Sequence, residues 1–230
     1  MPKIERESIT FLKELNQNNN REWFQENKYK YELAHENMIG FASLLLIEMS
    51  KHDDIETPTG KKSLHRIYRD IRFSKDKTPY KTNLSGSFSR ATKLLRGGYY
   101  FHIEPGNSFV GGGFWGPSKE DLQLIREHIA QDDEPLRSVI NSKAFKGTFK
   151  KLEGEQLKTS PKGFESDHPA IDLLRYKSFL IRKDFTDDEV IAGDFYLKVN
   201  DTFKAMRPFF DVMSDYLTTN LNGELLKGIK

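Results

Sequence analysis

Apolar residues recur at helical spacing near both ends of the chain. From residue 20 to about 51 an apolar position returns every seven residues, which predicts a long amphipathic helix. These positions are Phe24, Tyr31, Met38 and Leu45. A short helix is predicted before it, around residues 9–15, and another long helix runs from about 194 to 220. Both long helices therefore have an apolar stripe that other elements must cover.

The middle of the chain alternates apolar and polar residues, as β-strands do. Residues 98–115 contain two aromatic or β-branched runs around Pro105-Gly106-Asn107, which is the pattern of a hairpin. Further strands are predicted at about 84–90 and 177–184. Within the first arm of the hairpin, alternation places Tyr100, His102 and Glu104 on one face.

The order of these elements decides the fold class. Short helices are predicted near residues 118–130, 133–141, 143–150 and 169–175, and Thr186 with Glu189 forms a capping box. Helices, then consecutive strands, then helices predict an α+β fold and not alternating βαβ units. We therefore expect residues 1–230 to form a single α+β domain, with a mainly antiparallel sheet packed against the long N- and C-terminal helices.

Composition excludes several kinds of site. The chain has no cysteine, so disulfides, thiolate nucleophiles and iron–sulfur clusters are ruled out. No apolar run approaches the roughly 20 residues that a membrane-spanning helix needs. The first residues are amphipathic and carry acids, unlike the apolar core of a signal peptide. The expected protein is soluble and cytoplasmic, with no membrane partner.

Positive charge is concentrated in one stretch. Residues 61–98 contain eleven Lys or Arg and two Asp, a net charge of +9 in a chain whose total is +2. Such a stretch within an otherwise acidic chain creates a local field that attracts anions. We call residues 66–81, the densest part of it, the basic segment.

The basic segment contains the candidate binding residues. If residues 66–73 are extended, Arg66, Tyr68, Asp70 and Arg72 share one face, and Ile67, Ile71 and Phe73 can pack inward from the other beside Arg69. Asp70 could then hold a neighbouring guanidinium in place, and Pro79 would stiffen the loop. The predicted ligand-binding residues are Arg66, Arg69, Asp70, Arg72, Lys75, Lys77, Tyr80, Lys81, Tyr100 and His102.

Three functions remain open from the sequence. The first is binding of a small phosphorylated or carboxylated ligand, without an established reaction, because Asp70 among cations is a poor base. The second is an interaction or scaffold protein, in which carboxylates of the chain or of a partner neutralise the basic segment. The third is nucleic-acid binding, in which aromatic residues between the cations would stack on bases. The sequence does not indicate an oligomeric state.

No cofactor or metal is predicted. Gly111, Gly113 and Gly116 fit the dinucleotide-binding spacing, but the strand before them belongs to a tight hairpin and not to a βαβ unit. His102 and Glu104 have a spacing that could offer two metal ligands, yet no further ligand motif accompanies them. A polar pair on the sheet surface is the favoured interpretation of these two residues.

Several long motifs resemble one known family. They are "NNNREWF", "RDIRFSKDKTPYKT", "GGYYFHIEPGNSFVGGGFWGP" and "SPKGFESDHPAIDLL", in this order along nearly the whole chain. Together they resemble the conserved hypothetical proteins of domain of unknown function 2461. The resemblance implies a mostly bacterial, cytoplasmic, single-domain α+β protein, and it implies no activity. The matching residues are Arg69, Asp70, Arg72, Phe73, Lys75, Asp76, Lys77, Pro79, Tyr80, Lys81, Tyr100, Gly113, Trp115, Pro161, Lys162, Gly163, His168 and Pro169.

Overall fold

The computed structural model describes residues 3–229, and within them it contains ten helices and four strands. The helices before the first strand are α1 (Arg6–Gln17), α2 (Arg21–Glu26), α3 (Lys28–Met49) and α4 (Gly60–Ser63). The strands are β1 (Leu84–Ser89), β2 (Gly98–Ile103), β3 (Ser108–Phe114) and β4 (Phe179–Phe185). The remaining helices are α5 (Lys119–Gln131), α6 (Glu134–Asn141), α7 (Lys143–Phe149), α8 (Ile171–Leu174), α9 (Asp187–Val190) and α10 (Phe195–Thr218).

The four strands form one antiparallel sheet in the order β1-β2-β3-β4. Strands β2 and β3 are the predicted hairpin, and Gly106 in its turn has a φ of 75°, which glycine adopts without strain. The capping box at Thr186 and Glu189 is also present. The predicted α+β class is confirmed.

The helix predicted for residues 20–51 is interrupted once. The Asn20 side chain caps α2 by accepting the amide of Trp23 at 2.9 Å. Asn27 separates α2 from α3, and its side-chain amide donates to the Trp23 carbonyl at 2.9 Å. The prediction of one continuous helix is therefore wrong at Asn27. The apolar stripe continues across this break, so the sequence pattern gives no sign of it.

Two compact units can be distinguished along the chain. One comprises residues 1–88, 100–110 and 184–201, and the other comprises residues 89–99, 111–183 and 202–230. That residues 1–230 form one domain therefore stays a prediction.

The core of the first unit is aromatic. The ring of Phe41, on α3, stacks on Phe195 with centroids 5.6 Å apart and meets the edge of Phe101 at 5.6 Å. Phe101 also lies 6.0 Å from Phe88 of β1. This packing fixes the inward faces of β1 and β2, so their other faces carry the polar side chains described below.

The second unit packs α10 closely against β3. Phe210 of α10 meets Tyr99 edge-on at 5.1 Å, and a Cβ added to Gly112 would lie 2.6 Å from the Phe210 ring. That methyl group would also lie 2.9 Å from the sulfur of Met206. The run of three glycines at residues 111–113 therefore serves close packing at Gly112.

In the described part of the chain, no helix is both long and apolar enough to cross a membrane.

Candidate functional site

The basic segment folds as an irregular hairpin. Tyr68 and Tyr80 form an isolated antiparallel bridge, and the amide of Lys81 donates to the carbonyl of Ile67 at 2.8 Å. Beyond the bridge the chain turns back on itself, so residues 66–73 do not form the extended strand considered from the sequence. The segment therefore has a base, near the bridge, and a tip, residues 70–78.

Tyr80 anchors the base of the segment to α2. Its side chain is buried and stacks on Phe24 with centroids 3.9 Å apart. The Asn19 side chain donates to the Tyr80 carbonyl at 2.9 Å and accepts the Tyr80 amide at 3.1 Å. This packing gives Tyr80 a structural role, and the ligand contact expected of it from the sequence stays a prediction.

Arg69 is neutralised within the segment. Its Nη1 donates to Asp76 Oδ2 at 2.5 Å, to the Thr78 carbonyl at 3.2 Å and to the Thr78 hydroxyl. The Thr78 amide, followed by the side chains of Arg69 and Thr78, lowers the pKa of Asp76 from 3.8 to about 2. These bonds hold the two sides of the tip together, and they give the Arg69 guanidinium an internal counter-ion, Asp76.

Arg72 is likewise paired, as the sequence suggested. Its Nη2 and Nε donate to the two carboxylate oxygens of Asp70 at 2.7 and 3.0 Å, which is a bidentate arrangement. This side-chain hydrogen bond lowers the pKa of Asp70 and raises that of Arg72. Both side chains are largely exposed, so the pair is a surface one.

The tip exposes one aromatic ring. The sequence suggested that Phe73 packs inward with Ile67 and Ile71, but Phe73 is 96% exposed, while Ile67 is 1% exposed. The prediction that Phe73 packs inward is therefore wrong. The Asp70 carboxylate also accepts the backbone amide of Arg72 at 3.3 Å, and this hydrogen bond turns the chain and ends the alternation. Near Phe73 on the tip, Lys75 and Lys77 are exposed, and Lys77 Nζ donates to the Ile71 carbonyl at 2.9 Å.

Three residues of β2 and its end form a hydrogen-bonded row, which we call the polar array. The hydroxyl of Tyr100 lies 2.9 Å from Nδ1 of His102, and Nε2 of His102 lies 3.3 Å from Oε2 of Glu104. The face that alternation predicted for these three residues is therefore the face on which they meet. Their order, a hydroxyl, an imidazole and a carboxylate, allows a proton to pass along the row.

Glu104 holds the far end of the polar array in place. Its Oε1 accepts the Thr82 hydroxyl at 2.6 Å, and its Oε2 accepts the Asn107 amide at 2.7 Å. Burial favours the protonated carboxyl, but the hydrogen bonds from Thr82, Asn107 and His102 outweigh it and lower the pKa of Glu104. The carboxylate is therefore ionised at neutral pH and accepts a hydrogen bond from His102 Nε2.

The near end of the polar array faces His65 and β1. His65 lies 3.4 Å from the Ser85 hydroxyl and 3.1 Å from the Ser87 hydroxyl, and its ring centroid is 5.8 Å from that of Tyr100. Burial, and to a smaller extent the charge of Glu104, raise the pKa of Tyr100 despite a hydrogen bond from Ser85. The Tyr100 hydroxyl therefore stays protonated at neutral pH.

Lys81 lies close enough to His65 to act on it through its charge, and Arg66 acts in the same way on Lys81; we call Arg66 and Lys81 the cation pair. Burial and then the charge of Arg66 lower the pKa of Lys81, and burial followed by the charge of Lys81 lowers the pKa of His65. Within residues 3–229 neither member of the cation pair forms an ion pair or a side-chain hydrogen bond, although Arg66 acts on Asp70 through its charge. Their positive charge is therefore not neutralised by direct contact.

A groove of about 370 Å³ lies next to Lys81 and extends from the base of the segment to Asp76 and Thr78 of the tip. More of its lining surface is polar than apolar, which suits a charged ligand more than an apolar one. The lining residues are Asn16, Asn19, Arg69, Asp76, Thr78, Tyr80, Lys81, Thr82 and Asn83.

The structure divides the predicted ligand-binding residues into two groups. Tyr100 and His102 belong to the polar array, and Lys81 and Arg66 are linked to it through the charge of Lys81 on His65. Arg69, Asp70, Arg72, Lys75 and Lys77 belong to the hairpin beyond the bridge. Sequence reasoning missed His65, Ser85 and Thr82, which complete the first group. Alternation in β1 could have indicated Ser85, but His65 and Thr82 lie outside the strands and gave no periodic signal.

Across residues 3–229, no group of three or more His, Asp or Glu side chains is placed to hold a metal ion. His102 and Glu104 instead bond to each other.

Comparison with known proteins identifies a family and gives no relative of known activity. No curated protein and no solved structure matches the chain. The model of a family described as "Conserved hypothetical protein (DUF2461)" matches residues 7–212, which is most of the chain. The chain therefore belongs to the DUF2461 family of conserved hypothetical proteins.

Proposed function

We propose that the protein binds a small phosphorylated or carboxylated ligand at the cation pair, beside the polar array. The observation that carries this proposal is the contrast among the cations of the basic segment. Arg69 and Arg72 each contact a carboxylate, whereas Arg66, Lys75, Lys77 and Lys81 contact none in the described chain, and of these four only Lys81 is partly buried. Two cations without a counter-ion repel each other, and an anion between them would remove that repulsion.

The surroundings of the cation pair suit an oxyanion. The exposed imidazole of His65, on which the charge of Lys81 acts, has a ring N–H that can donate to a phosphate or carboxylate oxygen. Lys81 is partly buried, so its ammonium is screened less by salt than an exposed one. Charge-assisted hydrogen bonds of this kind are about twice as strong as neutral ones.

Isothermal calorimetry with inorganic phosphate and citrate tests the proposal on matched variants. Lys81→Met removes a member of the cation pair, and Lys75→Met makes the same change at an exposed cation of the tip. We expect wild type and Lys75→Met to bind alike, and Lys81→Met to bind at least about tenfold more weakly, from a lost contact of about 1.5–3 kcal/mol.

Equal weakening by Lys75→Met and Lys81→Met would show that the whole segment attracts anions without a defined site. Binding that is unaffected by Lys81→Met would overturn the proposal. Single-stranded oligonucleotides belong in the same experiment, because nucleic-acid binding predicts tight, strongly salt-dependent binding that both variants reduce.

The scaffold function is the second candidate, and the ion pairs of the tip favour it. Asp70 and Asp76 neutralise the two arginines of the hairpin, and the Asp76 contacts tie residue 69 to residue 78. The basic segment then has two roles: its tip is shaped by internal pairs, and its base presents the cation pair. Anion binding that persists after the Asp76 contacts are removed by substitution would show that the two roles are separate.

A further inference from the structure

We propose that Tyr100 is a base-activated nucleophile, with His102 as its base and Glu104 as the group that orients the base. The inference rests on the proposed anion site, because the reacting group must be held beside the Tyr100 hydroxyl. It goes further in assigning a reaction type, transfer of a phosphoryl or acyl group to oxygen.

The tautomer of His102 follows from Glu104. An ionised carboxylate only accepts hydrogen bonds, so Nε2 of His102, 3.3 Å away, carries the proton directed at Glu104. In the neutral ring Nδ1 is then unprotonated, and its lone pair faces the Tyr100 hydroxyl at 2.9 Å. A hydroxyl, a base and a carboxylate that orients the base are the parts that activate serine in hydrolytic triads.

The array is held rigidly enough for proton transfer. The His102 ring stacks on Phe109 with centroids 4.7 Å apart and planes inclined by 18°. Glu104 is fixed by Thr82 and Asn107, each within 2.7 Å of a carboxylate oxygen. A base that packing and a second hydrogen bond hold in its reactive orientation does not have to reorient before proton transfer, and this pre-organisation favours catalysis.

The position of Tyr100 links the array to the anion site. The centroid of its ring lies 5.8 Å from that of His65. Burial and then the charge of Lys81 lower the pKa of His65. Because burial keeps the hydroxyl protonated at neutral pH, the phenol needs a base in order to react.

The proposed step conserves atoms and charge. As the bond from Tyr100 Oη to phosphorus forms, the bond from phosphorus to the leaving oxygen breaks, and the phenolic proton passes to Nδ1 of His102. His102, now cationic beside the Glu104 carboxylate, returns that proton to the leaving oxygen. Lys81 and Arg66 stabilise the charge on the non-bridging oxygens during the transfer.

Labelling with an aryl sulfonyl fluoride tests the inference without a known substrate. The Tyr100 oxygen bonds to sulfur, fluoride leaves, and the phenolic proton goes to His102. Mass spectrometry of peptides compares Tyr100 with Tyr29, an exposed tyrosine that serves as an internal reference. We expect Tyr100 to react at least about tenfold faster than Tyr29 in wild type, and His102→Gln to abolish this difference.

Two further variants keep the test decisive. Glu104→Gln should slow labelling of Tyr100, and Thr82→Val, which removes one support of Glu104, should slow it less. Circular dichroism confirms that each variant is folded before its rate is used. Labelling of Tyr100 no faster than that of Tyr29, or labelling unchanged in His102→Gln, overturns the inference.

Protection by phosphate separates this inference from the anion site. If both hold, phosphate slows labelling of Tyr100 in wild type and in Lys75→Met, and does not slow it in Lys81→Met. Fast, His102-dependent labelling without protection supports the nucleophile and contradicts the anion site. Phosphate binding by calorimetry with slow labelling contradicts the nucleophile and leaves the anion site standing.

Discussion

At the scale of single residues, the cations of the basic segment differ in what neutralises them. A ligand that bound Arg69 or Arg72 would have to displace Asp76 or Asp70, and that displacement costs free energy. Lys81 and Arg66 impose no such cost, since neither contacts a carboxylate in residues 3–229. A residue's value as an anion ligand therefore depends on its partner as much as on its charge.

Asp76 makes the stability of the tip depend on pH. Its pKa is about 2 in the folded protein and 3.8 as a free side chain. A carboxylate with a lowered folded pKa stabilises the fold above its unfolded pKa and loses that contribution as pH falls through the folded pKa. We expect Asp76→Asn to lower Tm by a constant amount above about pH 5, and the difference to close between about pH 4 and 2.

Differential scanning fluorimetry across this pH range measures the effect. Asp167→Asn is the matched control, because Asp167 is exposed and its carboxylate has no hydrogen bond among the described residues. A Tm difference for Asp76→Asn that stays the same down to pH 2 would contradict the role assigned to the Asp76 carboxylate. Phosphate binding that persists in Asp76→Asn would separate the tip from the anion site.

At the scale of elements, strand periodicity located half of the candidate site. Alternation along β2 was sufficient to place Tyr100, His102 and Glu104 together, because a strand side chain has only two directions available. The same rule failed in the basic segment. There, Asp70 and Asp76 bond to nearby backbone amides and turn the chain, and no periodic pattern reports such bonds.

The packing of α10 on β3 gives a prediction at this scale. An added Cβ at Gly112 would meet Phe210 and Met206 of α10, so we expect Gly112→Ala to lower the free energy of unfolding by about 1–3 kcal/mol. Gly147, in α7, has no atom within 4 Å of an added Cβ. Gly147→Ala should therefore stabilise the protein by about 0.5–1 kcal/mol.

Urea denaturation followed by circular dichroism measures both changes. Equal effects of the two substitutions would mean that Gly112 is not closely packed against α10. The interpretation of the glycine run as a packing feature would then have to be abandoned.

At the scale of the whole molecule, the distribution of charge along the chain indicates a candidate binding site, whereas the net charge does not. The total of +2 gives no indication of a binding site, whereas eleven cations in residues 61–98 do. Membership of the DUF2461 family, the order of the elements and the α+β class could all be read from the sequence. The partner of each cation could not, because Asp76 and Asp70 are equally available to any of them until the hairpin turn is known.

The division of the basic segment between tip and base is also a property of the folded molecule. Tyr80, buried against Phe24, fixes the base, and the Arg69–Asp76 contact closes the tip. Within the folded hairpin, Lys81 acts through its charge on His65, which lies next to Tyr100. The family motif at residues 69–81 therefore combines a structural part with one residue of the proposed anion site, Lys81.

The central claim is that an anion sits between Lys81 and Arg66. Diffraction from crystals soaked in tungstate, a phosphate analogue with strong anomalous scattering, locates bound anions directly. We expect an anomalous peak within hydrogen-bonding distance of Lys81 Nζ and the Arg66 guanidinium, and none at the Arg69–Asp76 or Arg72–Asp70 pairs. Tungstate bound only at those pairs or at the tip, with the cation pair empty, would contradict the account.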